Sequence, residues 1–566
     1  MFRQLLPVSL LIVSFASSNY AQLSPYQKSL DFQELVASFD KDYAFLEWKN
    51  QAFGFNGLNL SPWLGQLNAG SDDLSYFDAA ALYAASFQDS HTVYLTPSTF
   101  YALLGFTVDI YDGKVLIDSI DRTTLKASRY PFQVGDELVS VDGKPVADWI
   151  ALFTPFVNDA SPISRKRTAA GMIVERDQEI YPHATDIGST ATVVINRQNG
   201  TTATYTIPWL VYGIPYQSPL VPDPTLPGPS VVARPAPKRT PSPVTEAGQL
   251  RHRMRVFRAQ TARYSLGADD YQPFFSMPAG FKIHTGTGAY DSLFSGSFQA
   301  GGYTIAYIRI PDFDVYADDV QSEITYFTKT VPSDGLIFDL MRNPGGDACT
   351  AESIASMLNS RPLLSMQLKE RVTFEDIMNI QMALYYDQLF GTQDDIDFDN
   401  RELAAYQAAY SQLRGFTDPL PLCSYTNQLT PATNSKGAPI AYTKPVMLLV
   451  DEQTASAAEI LASVMQENQA ALLYGMKTNG AGGRVEGLPT GSYTEGVVYM
   501  ARAILIRNTV QSKDGLPSEP YIENFGVQPD ITADYMTVDN LTNKGAPFVT
   551  GFTNAMVNYI QSRSGQ

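Results

Sequence analysis

Val446-Met-Leu-Leu-Val-Asp-Glu-Gln-Thr-Ala-Ser-Ala-Ala-Glu-Ile-Leu-Ala-Ser-Val-Met-Gln466 contains the change of period from which the chain is read. Val446 to Val450 is a short apolar run of buried-strand type. From Ala457 onward, Ile460, Leu461, Val464 and Met465 recur at helical spacing. Ser456 therefore stands at a strand-to-helix turn, where two roles fit. Ser456 and Glu459, three residues apart, have the pattern of a capping box that satisfies free amides of the first helical turn. A serine in this place also lies beside unpaired amides at the positive end of the helix dipole. There the N–H of Ala457 can hold an oxyanion formed as Ser456 attacks a carbonyl. The local pattern favours the cap, so the decision passes to the flanking sequence.

On the N-terminal side, Gly335 to Leu340 is a second apolar strand-like run, and it leads into Met341-Arg-Asn-Pro-Gly-Gly-Asp347. Glycines just beyond a strand allow close backbone approach and leave amides free to face a ligand. Residues 365–418 read as a largely helical, aromatic-rich insertion. After the Ser456 helix come Gly475-Met-Lys-Thr-Asn-Gly-Ala-Gly-Gly483, a strand-like run at Val497–Arg507, and Tyr521-Ile-Glu-Asn-Phe-Gly-Val-Gln-Pro-Asp-Ile531. The Gly-rich loop lacks the Lys-Ser/Thr ending of a phosphate-binding loop, which excludes a nucleotide site of that type.

Farther out, residues 22–95 read as amphipathic helices leading to Gln88-Asp-Ser-His-Thr-Val-Tyr94, with His91 one of only 4 histidines. Residues 96–212 change to short β-type runs. Among them Val134-Gly-Asp-Glu-Leu-Val-Ser-Val-Asp-Gly-Lys-Pro-Val146 pairs two strands about a turn at Asp142-Gly143 and resembles a PDZ signature. Residues 213–262 form a Pro-rich linker containing Lys238-Arg239, a candidate processing site. Residues 263–566 read as one α/β unit.

A chain of 566 residues with 44% hydrophobic content has material for two to four domains. Its net charge of −18 argues against nucleic-acid or anionic-membrane partners, which require a basic face. Residues 1–21 have the basic, apolar and small-residue zones of a secretory signal. No later stretch reaches the roughly 18 apolar residues of a membrane span. The expected location is secreted, or extracellular. The sequons at Asn199, Asn540 and, more weakly, Asn59 agree with a glycoprotein. Cys349 and Cys423 allow one disulfide or none. No His/Cys cluster has zinc spacing, so no metal or cofactor is expected. Oligomeric state is left open.

Asp-Ser-His-Thr at 89–92, the PDZ-like module, Asp-Leu-Met-Arg-Asn-Pro-Gly-Gly at 339–346 and Thr-Ala-Ser-Ala-Ala-Glu at 454–459 occur in an order that resembles the S41 serine peptidases, the tail-specific or C-terminal processing proteases. The resemblance implies a crotonase- or ClpP-like α/β core with an N-terminal helical region and a PDZ-like β-rich domain. It also implies polypeptide substrates and endopeptidase activity. It places Ser456 at the nucleophile position, and Gly345 or Gly346 together with Ala457 at the oxyanion hole. Bacterial tail-specific members draw a lysine base from the Gly-rich loop, but the aligned position here is Ala481, and Lys477 lies four positions earlier. The closer resemblance is thus to the Ser-His-Glu branch, with tricorn protease and the chlamydial protease-like activity factor. That branch implies His91 as base and a carboxylate from Glu523 or, alternatively, Glu519. Without a working base the same scaffold would be a catalytically silent protein binding peptides or apolar ligands.

Overall fold

Val446–Val450 is the fifth strand of a seven-stranded sheet that runs Lys282–Thr285, Phe294–Ala300, Tyr303–Arg309, Gly335–Asp339, Val446–Val450, Leu472–Gly475 and Ile531–Thr532. Neighbours are parallel from Tyr303–Arg309 onward and antiparallel before it. The computed structural model describes residues 22–70, 72–216, 272–287, 291–423, 426–513 and 515–563. The expected signal segment and the linker from residue 217, with Lys238-Arg239, lie outside the described residues.

Every residue of Gly335–Asp339 and of Val446–Val450 is buried. A parallel strand covered by helices on both faces cannot alternate apolar with polar, which explains these continuous apolar runs. Alternate side chains nevertheless enter different cores. Leu336, Phe338, Leu448 and Val450 pack with Val320, Ile354 and Ile460 from helices Ala317–Lys329, Ala348–Met357 and Ala457–Glu467. Ile337, Met447 and Leu449 face the opposite way, toward Phe548, Phe552 and Met556 of Ala546–Arg563.

A second sheet is built on the 16-residue strand Gly496–Gln511, which pairs antiparallel with Gly483–Thr490, Gln367–Glu370, Glu519–Tyr521 and Val93–Leu95. The N-terminal helices cover one face of it. Phe32, Phe39 and Tyr83, from Pro25–Asp42 and Leu74–Ser86, share a core with Val498, Met500 and Ile504. The expected N-terminal helical region thus ends in a strand, and that pairing fixes the chain two residues beyond His91. The expected helical insertion likewise begins with the strand Gln367–Glu370 before its two helices, Phe374–Phe390 and Gln393–Ser411. A Cys349–Cys423 disulfide ties helix Ala348–Met357 to the chain that follows this hairpin.

The β-rich module has its own core, with Phe106, Val108, Ile117, Leu138, Val193 and Ile195 under helices Val146–Phe153 and Pro162–Gly171. Asp142 and Gly143 have φ of +51° and +77°, as the two-residue hairpin turn between Glu137–Val141 and Lys144–Pro145 requires. Tyr101–Leu103 and Leu210–Tyr212 leave this sheet and form a separate three-stranded one with Glu175–Asp177.

Candidate active site

Ser456 has φ +54° and ψ −120°. A helix-capping residue ordinarily has extended backbone. This conformation is instead that of the first corner of a type II′ turn, which costs a residue with a Cβ on the order of 1–3 kcal/mol. The strain presents the hydroxyl at the top of the strand-to-helix turn, where it lies 3.0 Å from His91 Nε2. The Ser456 amide donates to Glu459 Oε2 at 3.1 Å, so the glutamate half of the expected capping box is formed.

Glu459 does more than cap. It is fully buried and also accepts from Thr478 Oγ1 at 2.5 Å and from the amides of Gly480 and Ala481, each at 2.8 Å. The Gly-rich loop is therefore wrapped around one carboxylate. Burial pushes this carboxyl up to about 7, against the pull of the four donors.

The second glycine-bearing loop packs directly on the serine. A Cβ at Gly345 would lie 2.6 Å from Ser456 Cβ and 2.8 Å from the Ala457 nitrogen, and one at Gly346 would meet the Phe313 backbone at 2.7 Å. Only glycine fits at either place. The Gly345 amide donates to Asn343 Oδ1 at 2.8 Å. The amides of Gly346 and Ala457 donate to no protein acceptor among the described residues.

His91 comes from a turn held by an aspartate. Asp89 accepts from the His91 amide at 2.8 Å, from Thr92 Oγ1 at 2.8 Å and from Tyr43 OH at 2.9 Å. The β-rich module and the Gly-rich loop add the remaining ties. Asn158 donates to the Asp89 and Ser90 carbonyls at 3.1 Å, and Ser90 Oγ donates to Asn479 Oδ1 at 2.5 Å. Three separate parts of the chain thus fix the turn that carries His91.

Glu523 is fully buried nearby. Oε2 accepts from the Gly482 amide at 3.0 Å, and Oε1 is ion-paired with Lys49, itself wholly buried. The Lys49 ammonium also donates to Asn524 Oδ1 at 2.5 Å and to the Gln88 carbonyl at 3.1 Å. Burial, with the Asp89 carboxylate close by, pushes the Glu523 carboxyl up, while Lys49 pulls it back. Glu523 is thus hydrogen-bonded to Lys49 and Gly482, and through Lys49 it reaches the Gln88 carbonyl of the histidine loop. Glu519 lies opposite Gln511 at the edge of the second sheet. Lys477 is half-buried, and desolvation with Lys513 beside it brings its ammonium down to about 8.

A further tie was not legible in the sequence. Arg167 of helix Pro162–Gly171 donates to Asp109 at 2.6 and 2.9 Å and is ion-paired with Glu452, four residues before Ser456. All three are buried, so the β-rich module is joined ionically to the nucleophile turn. Lys49, Asn479 and Arg167 each read as ordinary polar residues of an amphipathic or Gly-rich stretch, and no local pattern marks them.

Comparison with known proteins agrees with this architecture. Residues 304–533 match peptidase family S41, and residues 100–218 match a PDZ domain. A Chlamydia pneumoniae protein is 26% identical over 244 residues, which is 38% of this chain and 36% of that protein's length. A Chlamydia trachomatis serovar D protein is 24% identical over 466 residues, covering 73% of each chain. The crystal structure of mature CPAF superposes with a TM-score of 0.72 at 19% identity, over 95% of this chain and 98% of that one, and so shares its fold.

Proposed function

We propose that this chain, whose residues 304–533 match peptidase family S41, is a serine peptidase in which Ser456 is the nucleophile and His91 the general base of an endopeptidase reaction on polypeptides. The observation that carries this reading is the 3.0 Å separation of His91 Nε2 and Ser456 Oγ, reached through a strained serine. His91 takes the hydroxyl proton as Oγ bonds to the scissile carbonyl carbon, and the carbonyl oxygen becomes an oxyanion received by the amides of Ala457 and Gly346. Breakage of the C–N bond returns that proton to the leaving amine. Water, deprotonated by the same imidazole, then hydrolyses the acyl-Ser456 ester. Of the two candidate carboxylates, Glu523 is the one whose charge lies by the histidine loop, and it acts chiefly by holding Lys49 against Gln88. Gly345 serves as a close-packing position, its amide being engaged by Asn343.

A fluorophosphonate probe tests the serine: it should label Ser456 and block casein hydrolysis. His91→Ala should lower the rate by about 10³-fold or more, and Lys477→Ala by less than twofold. The opposite pair of results overturns the assignment.

The charged and apolar zones of residues 1–21 and the Cys349–Cys423 bridge support export to an oxidising compartment. Protein recovered outside the cell should then begin near Gln22, whereas an intact Met1 terminus there would count against a cleaved signal.

A further inference from the structure

The helix Phe374–Phe390 turns the wrong face outward. Phe374, Met378, Met382, Tyr386 and Phe390 recur every fourth residue along one ridge. All five are exposed, from 43% for Tyr386 to 83% for Phe390. Tyr385 and Leu389, both more than half exposed, widen the ridge on one side, and Tyr410 of the neighbouring helix extends it beside Phe374 at 6.0 Å. The inward face carries Asp376, bonded to Arg502 at 2.7 Å, and the buried Asp387. Packing among the described residues does not account for such an inversion, because a helix on a sheet normally buries its apolar stripe. Eight neighbouring large apolar or aromatic side chains, each exposed by 43% or more, form a contiguous patch of the kind that marks an interaction surface rather than the scattered single residues of an ordinary surface.

The chemistry of the surroundings selects among occupants. A lipid surface would call for Lys and Arg around the stripe, yet the hairpin carries Glu375, Asp394, Asp395 and Asp397 on its exposed parts. A cationic peptide would need free acidic charge on the ridge. The one charged residue of that face, Glu375, is already paired with Lys41 at 2.5 Å. The ridge is, however, nearly palindromic about Met382: phenylalanine stands eight residues away on either side, and Met378 and Tyr386 stand four away. A two-fold axis through Met382 therefore places apolar on apolar with no charge opposed to its like, as a self-complementary interface requires.

We propose that the outward face of Phe374–Phe390 is the interface between two copies of this chain, packed antiparallel about Met382. The paired ridges of every fourth residue interdigitate, with Met378 against the partner's Tyr386. The hairpin stands next to the strand Gln367–Glu370, which pairs with Gly496–Gln511, the strand that also pairs with Val93–Leu95 beside His91. The interface thus braces the sheet that carries the histidine segment.

Light scattering and sedimentation equilibrium on the full chain between 1 and 100 µM test this. The wild type should have twice the mass of one chain. Met382→Lys, which brings two ammonium groups together on the axis, should raise the dissociation constant at least 100-fold while leaving the melting temperature of the monomer unchanged, because the position is already exposed. Met378→Glu alone should also give monomers, and Met378→Glu combined with Tyr386→Lys should restore the dimer. A wild-type monomer throughout that range overturns the proposal, as does a dimer indifferent to Met382→Lys. Failure of the double substitution to restore association overturns the antiparallel arrangement.

Discussion

His91 Nε2 and Ser456 Oγ lie 3.0 Å apart although 365 positions separate them in the chain. The contact depends on the Val93–Leu95 pairing with Gly496–Gln511, on Asp89 inside the histidine turn and on Asn479 of the Gly-rich loop.

The strain at Ser456 predicts a difference between two inactive variants. Ser456→Ala and Ser456→Gly both remove the hydroxyl, but glycine takes φ +54° without a steric cost. In thermal or denaturant unfolding, Ser456→Gly should be more stable than Ser456→Ala by about 1–2 kcal/mol. Equal stability would mean that the turn relaxes and stores no strain.

Lys49 and Glu523 form a wholly buried pair, so removing one partner should cost more than removing both. Lys49→Met leaves a buried carboxylate and should destabilise by about 3–5 kcal/mol, and adding Glu523→Gln should recover a large part of that loss. A double-mutant cycle by urea unfolding checks this, and strict additivity would sink it.

Glu459 should make stability and activity run in opposite directions with pH. Its folded value, about 7, is raised above the ordinary 4.5, so its contribution to stability is complete below about 4.5 and is lost as pH rises through about 7. The loss is on the order of 3–4 kcal/mol at ~1.4 kcal/mol per unit. Only the ionised carboxylate has four acceptor sites for its four donors, so order in the Gly-rich loop, and with it the rate, should rise over the same interval. Glu459→Gln should flatten the stability profile between pH 4.5 and 7 and lower the rate about 10- to 100-fold. A variant whose stability still falls across that interval would show that another group is responsible.

His183 joins the β-rich module to helix Leu74–Ser86 through Asp78 Oδ2 at 2.8 Å, with Asp186 Oδ2 at 3.0 Å. The Asp78 hydrogen bond leads in raising the imidazole from 6.5 to about 9, so this link is complete below about pH 6.5 and is lost as pH rises through about 9. Asp78→Asn should therefore destabilise by about 1–2 kcal/mol at pH 6, after allowance for the partial exposure of the pair, and by little at pH 10. A cost independent of pH would assign Asp78 a packing role only.

Local chemistry made much of this protein readable from its residues. The runs Gly335–Leu340 and Val446–Val450 announced buried strands, because strands covered on both faces must be apolar throughout. Helical spacing after Ala457 put Ser456 at the turn, and Asp142-Gly143 marked a hairpin through its positive φ. The Asn-Pro-Gly-Gly loop was legible as a place of close approach, since glycine alone tolerates the contact that Gly345 makes with Ser456. These features depend on a few neighbouring residues, and a sequence records them directly.

The partners of long-range charges depend instead on which surfaces the fold brings together. Nothing around Lys49 distinguishes a solvated lysine from one buried against Glu523, and nothing around Arg167 points to Glu452. Glu459 carried a correct local signal as a cap, yet the three further donors that make it the centre of the Gly-rich loop arrive from residues 478–481. Ser456 illustrates the division. Its place in the turn follows from its own neighbours, whereas its distance from His91 depends on a strand pairing and two loop contacts made across hundreds of residues. Such contacts form only where tertiary packing has already offset the entropy of bringing distant segments together.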